Sequence, residues 1–227
     1  MGARGVVVGV VALGLVAAGA YVADGYARSS AQEQVAQVVT QQVEVEGEPD
    51  VRIDGFPFLT QLLARSLDDV TASAAGVVLD GVEVVDVTVD AHDVSLDEPY
   101  RVGSVRLEAT VPTSSVEQVV AERMQLDVVV DGDVLRASGE VLGVTLTAGL
   151  VPRVEDGRLL VDVRDVTLGP ATVQLDELPG RIADQLVGIE VPLDGLPAGI
   201  VLGQALVVPD GIRFTASGTD VVLERVP

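Results

Sequence analysis

His92 is the only histidine of the 227-residue chain, and it lies in the alternating run VDAHDVSLD. A serine hydrolase needs a base beside its nucleophile, and no serine of this chain lies in a G-x-S-x-G setting. The alternation places His92 on the solvent face of a strand, without a recognisable catalytic partner. Cysteine and lysine are both absent, which excludes thiol chemistry and a phosphate-binding loop ending in Gly-Lys-Ser/Thr. The sequence therefore predicts neither an enzyme nor a cofactor.

Aspartates are the remaining residues that could do chemistry, as calcium ligands. Two groups are dense enough to consider: Asp86, Asp90, Asp93 and Asp97, and Asp131 with Asp133. Neither group has the spacing of a helix-loop-helix calcium site. A hairpin turn explains Asp131-Gly132-Asp133, and a solvated strand face explains the others. We therefore predict no metal site.

The charge of the chain excludes one class of partner. Its 35 acidic and 14 basic residues give a net charge of -21, which repels the phosphates of nucleic acids. Basic clusters that would dock on anionic membranes are also missing. Contact with lipid would therefore depend on apolar side chains. Because hydrophobic residues make up 48% of the chain and aromatic ones only 3%, the core must be built from Val, Leu, Ala and Ile, which favours sheets.

Residues 1–27 are predicted to lie outside the folded domain, as a transmembrane anchor or a signal segment. Residues 5–23 carry no charge and are long enough to span a bilayer as a helix. Arg4 precedes them, which places the bulk of the chain outside the cytoplasm. The alternative is a signal peptide cleaved after Ala20, because AGA fits the small-x-small rule. Either way the domain is expected on the extracytoplasmic side of the cell membrane, or secreted.

Residues 28–227 are predicted to form a single α+β domain, with amphipathic helices on a large, curved antiparallel sheet. Helical spacing indicates a helix over 27–43, another of about three turns from Phe58 to Leu67, a third in TSSVEQVVAERM and a short one in LPGRIADQLVG. From residue 70 onward the apolar residues alternate with acidic ones, as in strands with one wet face. Asp-Gly turns between alternating runs indicate hairpins within 126–141, 152–166 and 205–223.

The stretch VRIDGFPFLTQLL, residues 51–63, holds two of the three phenylalanines of the chain. One interpretation is a structural corner, where the aromatic pair fastens a helix to a strand. In the other, these side chains line an apolar groove that accepts acyl chains. Two flanking arginines could meet a phosphate, although solvation or ion pairing explains them equally well. The predicted lipid-binding residues are Phe56, Phe58, Leu59, Leu62, Leu63, Leu67, Arg52 and Arg65.

These motifs resemble a known family. The apolar N-terminal segment, the Gln/Glu-rich helix, DVRIDGFPFLTQLLARSLDDVTASAAGV and the ending PLDGLPAGIVLGQALVVPDGIRFTASGTDVVL are similar to LmeA-like phospholipid-binding proteins of the actinobacterial cell envelope. The resemblance covers residues 22–224 in the same order. It implies an elongated fold similar to tubular lipid-binding domains, and binding of phospholipids, phosphatidylinositol-type lipids among them. It also implies a role in envelope or lipoglycan maintenance, and no catalytic residues.

Three functions follow, in order of support. The first is a non-enzymatic, membrane-anchored phospholipid-binding protein, which holds or transfers lipid between the 58–67 helix and the sheet. The second is a scaffolding domain of the envelope with a sealed core and a protein partner. The third, an enzyme of lipoglycan assembly, lacks a visible nucleophile and base.

Overall fold

A computed structural model describes residues 3–42, 44–79, 81–124, 127–141, 144–169, 171–174, 187–191 and 199–223. Within these residues the chain is dominated by antiparallel strands, with a few helices. The helices are α1 (Ala3–Gln42), α2 (Phe58–Ala64) and α3 (Thr113–Met124). The predicted helix at 178–186 falls outside the described residues.

The strands belong to two antiparallel sheets, which we call sheet A and sheet B. Sheet A contains β1 (Glu44–Glu46), β2 (Asp50–Asp54), β3 (Ser66–Leu79), β4 (Val82–Ser95), β5 (Tyr100–Pro112), β12 (Ile200–Val208) and β13 (Gly211–Leu223). Sheet B contains β6 (Asp127–Asp131), β7 (Val134–Val141), β8 (Val144–Glu155), β9 (Arg158–Leu168), β10 (Ala171–Gln174) and β11 (Ile189–Val191).

The strand order explains why one large sheet was the wrong prediction. Sheet A runs β1-β3-β4-β5-β13-β12, with β2 also on β3, whereas sheet B runs β10-β9-β8-β7-β6, with β11 on β9. The C-terminal hairpin β12–β13 returns to pair with β5, and this long-range pairing leaves the middle strands to form their own sheet. The antiparallel, sheet-rich architecture itself is confirmed.

The three predicted Asp-Gly hairpins all form, as β6–β7, β8–β9 and β12–β13. In β8–β9 the two turn residues Asp156 and Gly157 both have positive φ, 51° and 75°, between the paired residues Glu155 and Arg158. Two positive φ values define a type I′ turn, whose twist matches that of the flanking strands. Local turn chemistry therefore sets the register of this hairpin.

Two hydrophobic cores form among the residues that the structure describes. The inter-sheet core joins β6, β7 and β9 of sheet B to β12 and β13 of sheet A, through Val128, Leu135, Ala137, Leu159, Leu202, Ala205, Ile212 and Ala216. A smaller corner core consists of Ile53, Phe58 and Leu67, against which Ala27 and Ala31 of α1 pack. Helix α1 thus covers the β2–β3 edge of sheet A, far from the inter-sheet core.

The predicted membrane segment, residues 5–23, belongs to α1, and the side chains of residues 3–18 fall outside the described part. Among the residues that the structure describes, no helix is both long and apolar enough to cross a membrane. The anchor and the signal peptide therefore stay predictions.

Candidate functional site

An exposed apolar surface lies where α1 meets α2, and we call it the tip. Leu63 is 85% exposed and Phe56 is 64% exposed. The rings of Phe56 and Tyr21 contact each other, with centroids 5.7 Å apart. The exposed residues of the tip are Tyr21, Val22 and Tyr26 of α1, with Phe56, Leu59, Leu62 and Leu63. The tip therefore unites four of the predicted lipid-binding residues with aromatic residues from the N-terminal helix.

Asp24 of α1 fastens the start of α2. The residue before α2 is Pro57, which caps the helix with no side-chain hydrogen bond. The Leu59 N–H donates instead to Asp24 Oδ1 at 2.8 Å, which satisfies one of the free amides of the first turn. Arg28 then donates to Asp24 Oδ2 at 3.4 Å and to the Gly55 carbonyl. One buried carboxylate thus holds α2 against α1.

The environment of Asp24 favours its ionised form. Burial by itself would raise the pKa of Asp24, but the backbone N–H groups of Leu59 and Phe58, together with the Arg28 guanidinium, hold that pKa below its ordinary value. The charge also lies at the N-terminus of α2, where the helix dipole stabilises an anion. Asp24 is therefore a charged cap at neutral pH.

The inner side of α2 is fixed by a side chain as well as by the corner core. Gln61 is buried, and its Nε2 donates to the Asp54 carbonyl at 3.0 Å while its Oε1 accepts from the Asp68 N–H at 3.0 Å. Gly55 has φ +91°, and a Cβ there would lie 2.4 Å from Gln61 Nε2. A glycine is therefore required where the chain turns from β2 towards α2.

Two predicted lipid-binding residues are core residues instead of groove residues. Phe58 has 0% exposure and packs with Ile53 and Leu67 in the corner core. Leu67 is not helical, because α2 ends at Ala64, Arg65 takes a left-handed φ of 55°, and Ser66 begins β3. Helix α2 is therefore seven residues long, shorter than the predicted three turns. Phe58 therefore belongs to the structural corner, whereas Phe56 is exposed.

Both predicted arginines make ion pairs. Arg52 Nη2 lies 2.8 Å from Asp50 Oδ2, and Arg65 Nε pairs with Asp97. All four side chains are exposed, so each pair is weak and open to exchange with another anion. The structure brings neither arginine into the corner core.

A second apolar surface runs across sheet A behind α2, and we call it the apolar sheet face. Cross-strand pairs place Val70, Ala91 and Val105 in one row, and Ala72, Val89 and Leu107 in the next. Residues in register across antiparallel strands share one face of a sheet. Val70 packs on the corner core and Leu107 on the inter-sheet core, so the rows connect the two cores.

The residues of the apolar sheet face are only partly buried. The helices α1 and α2 cover one end of these strands, while α3 and sheet B lie at the other. The alternation of the β3–β5 sequence predicts an apolar face, but only the structure shows that it continues into both cores.

The opposite face of the same strands is polar and holds an open cleft of about 470 Å³. His92 and Arg106 both line it, and His92 Nδ1 pairs with Asp69, a partner that the sequence did not reveal. Ser104 is the cross-strand neighbour of His92, yet among the described residues no hydrogen bond joins the two. Because His92 and Asp69 are each about half exposed, water competes for their interaction.

The acidic groups considered as calcium ligands have other roles. Asp86 and Asp93 have φ values of 52° and 53°, which aspartate tolerates better than most residues. Asp131 pairs with Arg136, and Asp133 pairs with Arg164. In the part of the chain that the structure describes, no three metal-ligating side chains come together.

Comparisons with known proteins give two relationships. Residues of this chain are similar to elongation factor G of Dehalococcoides mccartyi strain 195, with 29% identity over 181 residues. Elongation factor G of strain CBDB1 shows the same identity over the same length. These matches cover 64% of this chain and 26% of the elongation factor, so the chain spans about a quarter of the length of the curated relatives it matches. No solved structure matches the chain.

The second relationship covers most of the chain, including the apolar sheet face, the tip except Tyr21, and the C-terminal hairpin as far as residue 217. The family of LmeA-like phospholipid-binding proteins matches residues 22–217. The chain therefore belongs to the LmeA-like phospholipid-binding family.

Proposed function

We propose that the protein is a non-enzymatic, membrane-anchored phospholipid-binding protein that acts outside the cytoplasm. The observation that carries the proposal is the apolar sheet face, a partly buried surface between two cores in a member of a phospholipid-binding family. Acyl chains would lie along this face, behind α2. Burial of each methylene group contributes about 0.8 kcal/mol, so affinity does not require a charged clamp.

The length of the face along β3 is comparable with that of one acyl chain. Val70, Ala72 and Ala74 take alternate positions on β3, and at about 3.4 Å per residue they extend over about 14 Å. The hydrocarbon of one bilayer leaflet is about 15 Å thick, half of the bilayer core. A single chain of a phospholipid would therefore span this part of the face.

The charge distribution supports lipid selection through the acyl chain more than through the head group. The arginines near α2, Arg52 and Arg65, already pair with carboxylates. Arg106 makes no ion pair among the described residues, but it lies on the polar face of sheet A, opposite the acyl-chain surface. The family resemblance alone suggests phosphatidylinositol-type lipids as ligands. Transfer of lipid and support of envelope or lipoglycan maintenance belong to the same proposal.

Native mass spectrometry of the full chain, released from lipid-rich membranes in mild detergent, tests the proposal. Wild-type protein should carry phospholipid at a fixed stoichiometry. Ala91→Phe fills the apolar sheet face and should abolish this adduct. Ala75→Phe, the same change at an exposed position of β3, is the matched control and should retain it.

Equal lipid occupancy in both variants would contradict binding of acyl chains along the apolar sheet face. If Ala91→Phe unfolds, as circular dichroism would reveal, the smaller change Ala91→Leu replaces it and should lower occupancy in part. A folded wild-type protein without lipid would favour the alternative, a scaffolding domain of the envelope with a protein partner.

A further inference from the structure

The tip is free of acidic residues in a strongly acidic chain. Residues 55–67 contain no Asp or Glu, between the exposed Asp54 and Asp68, although the chain has 35 acidic residues and a net charge of -21. Near the tip, α1 carries one carboxylate, that of Asp24. It is buried beneath the exposed residues and is neutralised by Arg28. A contiguous exposed apolar surface is a mark of an interaction site. An exposed apolar surface whose own residues carry no carboxylate indicates a partner that offers hydrocarbon.

The position of the tip along α1 identifies that partner. Residue 23 ends the apolar segment 5–23, and Asp24, which binds the Leu59 N–H, is the next residue of the same helix. At 1.5 Å per residue, Tyr26 lies about 4.5 Å beyond residue 23. The head-group zone on each side of a bilayer is about 5–7 Å deep. A helix inserted through residue 23 therefore carries α2 within this zone.

The side chains of the tip suit the same boundary. Tyr21 and Tyr26 are exposed, and tyrosine is enriched where the hydrocarbon of a membrane meets its head groups. Leu59, Leu62 and Leu63 of α2 are 39%, 38% and 85% exposed, whereas Phe58 is buried. The hydrogen bonds of Asp24 and Gln61 hold the backbone of α2, which carries these leucines.

We infer that α2 docks its exposed leucines and Phe56 into the head-group and acyl boundary of the bilayer in which α1 is anchored. The inference rests on the anchor in the proposed function, and it gives α2 a role of its own. The corner core lies directly behind α2, and Val70 of the apolar sheet face packs against it. Docking therefore places the near end of the acyl-chain surface beside the membrane from which lipid is drawn.

A single fluorophore tests the docking, because the chain has no tryptophan. Leu63→Trp places one on the tip, and the matched control Leu206→Trp places one on β12, where Leu206 is 48% exposed at the opposite edge of sheet A. Each full-length variant is reconstituted in phosphatidylcholine vesicles with or without brominated acyl chains. We expect a blue-shifted emission and several-fold quenching for Leu63→Trp, and neither change for Leu206→Trp.

Three results would overturn the inference. Unshifted and unquenched emission from Leu63→Trp would show that the tip remains in water, and failure of the chain to float with vesicles would remove the anchor. A blue shift without quenching by brominated lipid would place a second protein on the tip, another copy of this chain included, and would also overturn it.

The outcome is separable from that of the proposed function. Quenching at position 63 with no phospholipid adduct in wild-type protein would contradict only the binding of acyl chains on the apolar sheet face. A normal adduct with no quenching at position 63 would contradict membrane docking alone. Adding Ala91→Phe to Leu63→Trp sharpens the separation, because it should abolish the adduct and leave the quenching unchanged.

Discussion

The tip and the inter-sheet core are built in opposite ways. In the inter-sheet core, apolar side chains from both sheets face each other and are buried. At the tip, apolar side chains face outward, while a buried aspartate and a buried glutamine hold the backbone from inside. Burial of apolar surface stabilises the first region, whereas directed hydrogen bonds fix the second. This difference indicates that the tip presents its hydrophobic residues instead of using them for stability.

Phe58 lies between Phe56 and Leu59 of the tip but is a core residue, and its replacement carries the largest expected effect. Phe58→Ala should lower the free energy of unfolding by about 3–5 kcal/mol, because it leaves a cavity among Ile53 and Leu67. Leu63→Ala, five residues away, should change it by less than about 0.5 kcal/mol, since its side chain is exposed. Urea denaturation of the two variants measures both values.

Similar losses for the two variants would contradict the division between core and presented residues. Phe58→Asp, by contrast, is a poor probe of lipid uptake. A charge at a fully buried position unfolds the corner, so loss of binding would carry no information about a ligand.

The turn into α2 provides the next test, because it depends on Gln61 instead of on apolar packing. In Gly55→Ala the new Cβ strains a left-handed residue and displaces Gln61, so we expect a loss of about 2 kcal/mol or more. Gly47→Ala is the matched control: its φ is +80°, but a Cβ there meets no atom within 4 Å. It should lose only about 1 kcal/mol from backbone strain. Thermal unfolding compares the two variants.

An equal loss in the two glycine variants would mean that Gln61 does not hold α2. In that case α2 would depend on the corner core, like the rest of the fold, and the contrast between the two regions would weaken.

Local patterns predicted the strands of this fold better than their assembly. The alternation of residues 82–95 and the Asp-Gly pairs are confirmed as β4 and as hairpins, because turn geometry and side-chain period act over a few residues. The division into two sheets depends on β13 pairing with β5, about a hundred residues away in the chain. The predicted end of α2 was wrong for a similar reason. The apolar spacing of the sequence continues to Leu67, but Ser66 already pairs with Ser95 in the sheet.

The candidate site shows the same limit. Composition alone singled out Phe56, Leu59, Leu62 and Leu63, because aromatic and consecutive aliphatic residues are conspicuous in this chain. Asp24 carried no such signal, since a carboxylate that caps a helix 35 residues away has no local pattern. The pairing of His92 with Asp69 was equally hidden, because it follows from the register of β3 and β4.

The smallest expected effect concerns the charge that joins α1 to α2. Because the folded-state pKa of Asp24 is lowered, its ionised form stabilises the fold above the unfolded-state pKa of about 3.9, and this contribution disappears as the pH falls through the folded-state pKa. Asp24→Asn keeps an acceptor for the Leu59 N–H but removes the charge. The difference in unfolding free energy between wild type and this variant should be greatest near pH 7 and should shrink below pH 4.

Denaturation at several pH values measures that difference, and hydrogen exchange at the Leu59 amide locates it. Asp24→Ala, which removes the acceptor as well, should accelerate exchange at Leu59 at every pH, while amides of the β8–β9 hairpin stay protected. A difference between wild type and Asp24→Asn that does not vary with pH would mean that Asp24 acts through its shape and hydrogen bond alone. The tip would then be positioned by the same short-range contacts as an ordinary helix cap, and its orientation would not depend on pH.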